Sequence, residues 1–167
     1  MLKKNSLYRR RGVMNMDNKK MMITFGTETG NSELLAEDAS SAAESSGFET
    51  TVMGMDEIEL EDLQTCQNLI VVCSTWGDGD QPDNAVELFE AVEKAGDGDL
   101  TDVKFAVLAI GDTAFDLFCE AGIQWDELLE KKGANRVNDR VECDVDYEDD
   151  AEDWIEETIS KFSSLYQ

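Results

Sequence analysis

Short apolar runs and amphipathic stretches alternate regularly from residue 21 to the end of the chain. Five runs read as β-strands: Met21–Phe25, Glu49–Met53, Leu69–Ser74, Phe105–Ile110 and Arg136–Cys143. The third and fourth are almost continuously apolar, as strands buried on both faces are. Between the runs, apolar positions recur at helical spacing. Leu35, Ala39, Ala42 and Ala43 share one face; so do Ala85, Leu88, Phe89 and Val92, and later Ile155, Ile159, Phe162 and Tyr166. Trp125, Leu128 and Leu129 predict a fourth helix, ended by Gly133 at a C-cap position. Asp56–Thr65 fits neither period, while Gly96–Gly98 and Asp149–Asp153 read as polar surface turns.

Strands alternating with helices point to a parallel sheet, because parallel neighbours need crossover connections. The expected fold class is α/β: an open, doubly wound, five-stranded parallel sheet with helices on both faces. No repeat or linker interrupts residues 21–167, so they are expected to form one domain. In such sheets ligands bind beyond the carboxyl ends of the strands, where the strand order reverses. The loops at those ends are TETGNS (Thr27–Ser32), STWGDGD (Ser74–Asp80) and GDTAFDLFC (Gly111–Cys119).

The first loop leads from strand to helix, where unpaired N–H groups and the positive end of the helix dipole converge. Amides there, with the hydroxyls of Thr27, Thr29 and Ser32, suffice to hold a phosphate dianion. Gly30 permits close approach, and no cation is needed. The same residues also suit a plain helix N-cap. Neither the lysine of a nucleoside-triphosphate loop nor the glycine pattern of a dinucleotide site is present. Trp76 is open to two readings, packing at the core edge or stacking on a ligand. Phe115 and Phe118 add aromatic groups from the third loop. Together the loops suit a phosphorylated ligand bearing a flat ring system.

Composition narrows the chemistry. Histidine is absent, which removes the commonest general base and metal ligand and excludes histidine-based triads and zinc sites. Cys66, Cys73, Cys119 and Cys143 form no CxxC pair and read as reduced structural thiols of a cytosolic protein. Seven of the 14 basic residues lie in the first twenty positions; from residue 21 onward, seven bases stand against 37 acids, a net charge of −30. Such a body repels nucleic acid and anionic membranes. It favours a basic protein partner, or serves only solubility or a salty habitat. Residues 1–20 lack the apolar stretch of a secretory signal; an organellar targeting peptide is one reading, but so short and weakly amphipathic a segment reads more simply as a disordered basic tail or an upstream start, with Met14 and Met16 as later starts.

With its motifs in this order the chain resembles the short-chain flavodoxins. It is similar also to the flavin mononucleotide (FMN) domains of sulfite reductase flavoproteins and other diflavin reductases. The likeness covers residues 21–167 and rests on TETGNS, on STWGDGDQPDNA and on GDTAFDLFCEAG followed by GANRV; it extends into CDVDYEDDAEDW. It implies strand order 2-1-3-4-5 and one FMN per chain. Thr27, Glu28, Thr29, Gly30, Asn31 and Ser32 would wrap the phosphate, with the Glu28 carboxylate directed at solvent. Ser74, Thr75, Trp76 and Gly77, with Ile110, Gly111, Asp112, Thr113, Ala114, Phe115, Asp116, Leu117, Phe118 and Cys119, would flank the isoalloxazine. Trp76 would stack on one face and Phe115 on the other. Flavodoxins commonly have tyrosine at the position of Phe115, so the ring is kept here and its hydroxyl is lost. The Gly77 peptide would lie beside flavin N5.

The function so implied is low-potential one-electron transfer by a monomeric cytoplasmic carrier. Its partners would be basic-patched redox proteins such as a flavodoxin or ferredoxin reductase and acceptor enzymes. Asp78, Asp80, Asp112 and Asp116 would disfavour added negative charge on the flavin and lower its potential. No side chain is a convincing acid, base or nucleophile, which suits a carrier rather than an enzyme. An alternative of the same domain type is the FMN subunit or domain of a diflavin-type, sulfite reductase-like system; the chain has no room for an FAD and NADPH module. A flavin-free signalling module of receiver type would need acids at the end of the first strand, where Phe25 and Gly26 stand.

Overall fold

The structure, a computed structural model, describes residues 19–167. The expected basic tail lies, through residue 18, outside the described residues. Lys20 already belongs to the first strand, β1 (Lys20–Gly26). The chain continues through α1 (Asn31–Ser45), β2 (Glu49–Gly54), a 3-10 turn (Met55–Glu57), α2 (Leu60–Thr65) and β3 (Asn68–Ser74). A second 3-10 turn (Asp83–Ala85) leads into α3 (Val86–Lys94), followed by β4 (Lys104–Ile110) and α4 (Glu120–Lys131). The short strands β5 (Asn135–Arg136) and β6 (Val141–Cys143) precede α5 (Glu148–Ser164).

All strand pairings are parallel, in the order β2-β1-β3-β4-β5, with β6 also against β4. The alternation of side chains explains the unbroken apolar runs. Ile70 and Val72 of β3 meet α1 and α5 in one core cluster, whereas Leu69, Val71 and Cys73 face Leu88, Val92 and Trp125 in the other. Order reverses between β1 and β3, so the loops after those two strands open onto one crevice.

The fifth strand differs from expectation. Instead of one run, β5 pairs with Lys104–Phe105 and β6 with Leu108–Ile110. Five steps from Arg136 to Val141 face three on β4, from Phe105 to Leu108, and the excess bulges outward. Polar partners hold the bulge: Asn138 donates to Thr158 Oγ1 at 2.9 Å, and Arg140 reaches the buried Asp126 at 2.9 Å.

Two local expectations also change. Asp149–Asp153 is not a turn but lies near the start of α5, where carboxylates favour the helix dipole. The ambiguous Asp56–Thr65 resolves into the end of a 3-10 turn and the six residues of α2. The predicted end of α4 holds: Gly133 at φ +100° and Ala134 donate back to Glu130 and Leu129, the paired bonds of a Schellman motif.

Candidate functional site

The first loop is built on Gly30, whose φ of +92° starts α1 in a left-handed turn. Its N–H donates to Thr27 Oγ1 at 2.8 Å, and no side chain caps the helix. The amides of the first turn are therefore free to meet an external acceptor, with the helix dipole behind them. Thr29 is exposed at the mouth. Ser32 is fully buried, and its hydroxyl donates to Ser74 Oγ, which donates to the Gly26 carbonyl. That hydroxyl chain braces the first loop against the second.

Glu28 is not simply turned to solvent. Its carboxylate accepts the Asp83 N–H at 2.6 Å, because the start of a 3-10 turn offers an unpaired donor with partial positive charge. Asn84, which was not among the expected site residues, clamps the same loop: Oδ1 accepts the Thr27 N–H at 2.9 Å and Nδ2 donates to the Phe25 carbonyl at 3.2 Å. The stretch QPDNA lay within the quoted second motif, but spacing alone does not say which of its side chains turns back to the first loop.

The second loop is a closed hairpin. Trp76 and Asp80 exchange backbone bonds of 2.8 Å, and Gly77 and Gly79 take φ of +54° and +127°. The indole of Trp76 is half exposed, at 50 %. In the third loop Phe115 is exposed at 46 %, Leu117 at 49 %, and Phe118 is half-buried. The two loops touch where Leu117 covers Gly79: a Cβ on that glycine would lie 2.6 Å from Leu117 Cδ1. Gly111 is equally constrained, since a Cβ there would sit 2.7 Å from the Cys119 amide. Ala114 donates to Asp112 Oδ1 at 2.8 Å in a tight side-chain turn.

A fourth segment supports the third loop. Asp144 accepts from the Thr113 hydroxyl at 2.7 Å and the Thr113 N–H at 3.1 Å. Those bonds, with one from the Val145 N–H, hold the Asp144 carboxyl below its ordinary range. Its position in CDVDYEDD was visible, but its role depends on β6 lying beside β4. Ile110 and Cys119 are buried, and the Thr75 hydroxyl accepts the Ala121 N–H at 3.0 Å, so these side chains serve the scaffold. Among the described residues every cysteine is a free thiol; burial pushes Cys66 and Cys119 up to about 12 and Cys143 to about 11. Such thiols stay protonated and unreactive.

The crevice thus combines an uncapped helix start with two exposed aromatic side chains on touching loops, at the switch point of a five-position parallel sheet. The flavodoxin family model matches residues 23–157. The chain belongs to the flavodoxin family. Its structural neighbours include Bacillus cereus flavodoxin 2, 28% identical with a TM-score of 0.74, covering 87% of this chain and 99% of that one. The Streptococcus pneumoniae flavodoxin, at 24% identity, shares the fold with a TM-score of 0.79 over 87% of this chain and 99% of its own. In sequence, the chain is 39% identical over 138 residues to the sulfite reductase (NADPH) flavoprotein alpha-component of Bacillus subtilis, covering 83% of this chain and 23% of that protein. The Vibrio parahaemolyticus counterpart is 34% identical, over 85% of this chain and 23% of its own length. The chain spans about a quarter of the length of these curated relatives. FMN is the cofactor of the flavodoxin family, and the donors here fit it: amides for a phosphate, aromatic side chains for a flat ring, and no cation required.

Proposed function

We propose that this protein is an FMN-carrying, low-potential one-electron carrier that shuttles electrons between a reductase and acceptor enzymes. The observation that carries the reading is the uncapped start of α1 opening beside the exposed Trp76 and Phe115. The amides of α1 and the Thr27 and Thr29 hydroxyls would hold the phosphate, while the Trp76 hairpin and the Phe115 loop would flank the ring. FMN, when bound, supplies the redox chemistry. The chain's own residues bind and orient it, exclude water from the ring faces, and surround its edge with Asp78, Asp80, Asp112 and Asp116, which disfavour added negative charge.

The phosphate-holding loop makes a direct prediction. Cofactor-free protein titrated with FMN, riboflavin and FAD should bind FMN at one per chain, with riboflavin weaker by at least about tenfold, a charge-assisted bond or two. FAD should also bind more weakly. Equal affinity for riboflavin and FMN would remove the phosphate from the site.

A second reading, the FMN module of a sulfite reductase-like system, is favoured by the 39% identity to the Bacillus subtilis flavoprotein. The two separate when chemically reduced protein is offered to the catalytic component of a sulfite reductase. Sulfide formation supports the module; turnover only with other acceptors supports the free carrier.

A further inference from the structure

We infer that Gln81 is a positioning residue for the flavin-facing hairpin Trp76–Asp80, fixing its base to the start of α4; the inference rests on the FMN reading above. The hairpin carries Trp76 and Gly77, and Gln81 is the next residue after its closing pair. Gln81 Oε1 accepts the indole N–H of Trp125 at 2.9 Å and the Cys73 thiol at 3.6 Å, and Nε2 donates to the Ala121 carbonyl at 3.0 Å and to Gln124 Oε1 at 3.2 Å. The amide orientation is unambiguous, because the indole only donates and the carbonyl only accepts. Ala121 and Trp125 are one turn apart on α4, so both bonds fall on the same helix face.

The anchor is rigid. Trp125 is fully buried and packs edge-on against Phe89, with ring centroids 5.1 Å apart. Pro82 restricts Gln81 to extended backbone, which removes freedom on the other side. At the opposite strand of the hairpin, Thr75 Oγ1 accepts the Ala121 N–H at 3.0 Å. Both ends of the hairpin are thus tied to one peptide residue of α4, the N–H holding one end and the carbonyl the other. At the tip, Leu117 covers Gly79, whose N–H donates to the Trp76 carbonyl at 3.3 Å. Loosening the base would free the Gly77 peptide, which on the FMN reading would flank the ring and bias how its two one-electron potentials are spaced.

The test uses Gln81→Met, which keeps volume and loses all of these bonds, and Gln81→Glu, which keeps the acceptor for Trp125 and loses the donor to Ala121 and Gln124. In cofactor-free protein the Trp76 and Asp80 amides should exchange with solvent roughly three- to tenfold faster in Gln81→Met, the factor one or two net hydrogen bonds give. Core amides such as Val71 should keep their rates, which a general loss of stability would not allow. In FMN-loaded protein, spectroelectrochemical titration should show the gap between the two one-electron potentials altered in Gln81→Met and moved in the same direction in Gln81→Glu. Unchanged hairpin exchange, or an unchanged gap with FMN bound, overturns the role of Gln81. Failure of the unsubstituted protein to bind FMN overturns the functional reading instead, and is told apart because no titration is then possible.

Discussion

At the scale of single residues, the two glycines of the second loop do different work. Gly77 has a φ of +54°, and a Cβ there would meet only Asp80 Oδ2, at 3.8 Å. Gly77→Ala therefore costs backbone strain alone, about 1 kcal/mol. FMN should stay bound while the two one-electron potentials draw closer; an unchanged gap would separate Gly77 from the flavin. Gly79 combines a φ of +127° with the Leu117 contact, so Gly79→Ala meets strain and collision together. It should weaken FMN binding more than Gly77→Ala, and adding Leu117→Ala should restore part of the loss by clearing the 2.6 Å approach to Leu117 Cδ1, while the strain and the 2.9 Å approach to Leu117 Cβ remain. Asp144 adds a pH dependence. Its folded pKa is lowered, so its hold on Thr113 is complete above the ordinary carboxylate range and is lost as pH falls through the lowered value. The Thr113 amide resonance should stay constant from neutral pH through the ordinary carboxylate range and move only below it; in Asp144→Asn that titration should vanish.

At the scale of elements, α4 joins the cofactor loops to the far edge of the sheet. Its first turn receives Thr75 and Gln81, and its middle carries Asp126, a carboxylate 1 % exposed that accepts from Arg136 Nε at 2.9 Å and Arg140 Nη1 at 2.9 Å. Those arginines flank the bulge between β5 and β6. Asp126→Ala leaves them without their buried partner, but both side chains are about a quarter exposed, at 25% and 28%, so water offsets part of the loss. The expected destabilisation is about 2 kcal/mol, a fall in Tm of roughly 4–8 °C. A change under 1 °C would make the cluster a surface ornament. The same elements mark how far the pattern of the sequence reaches. β3 and β4 were legible because burial on both faces leaves an apolar run that nothing else in the chain imitates. The split of the fifth strand was not, since an extra pair of residues changes register without changing alternation. Glu28 was legible as a loop residue and Ser32 as part of the strand-to-helix turn, where it falls in the first turn of α1, but their partners, Asp83 and Ser74, are set by which strands become neighbours. The exposure of Trp76 and Phe115 was not readable from the pattern alone, since a ring at a strand end suits packing at the core edge equally well; their pairing came from the family resemblance.

At the scale of the molecule, charge and exposed apolar surface meet at one edge. Trp76, Phe115 and Leu117 stand out among Asp78, Asp80 and Asp116, all exposed. Residues 21–167 carry a net charge of −30, so the field over the whole body attracts a basic partner, while the local acids decide where it docks. The two contributions respond differently to salt and substitution. Long-range attraction is screened over about 10 Å at 0.1 M ionic strength, so the bimolecular rate with a basic reductase should fall as salt rises. Replacing Asp78 and Asp116 by asparagine removes two charges beside the ring; replacing Glu152 and Glu156 by glutamine removes two from the exposed face of α5. Stopped-flow rates at low salt should fall more in the first variant than in the second, and the two should converge with the unsubstituted protein at high salt. Equal falls would assign the attraction to net charge without a preferred docking edge. No fall in either, with no dependence on salt, would leave the acidity a property of solubility alone.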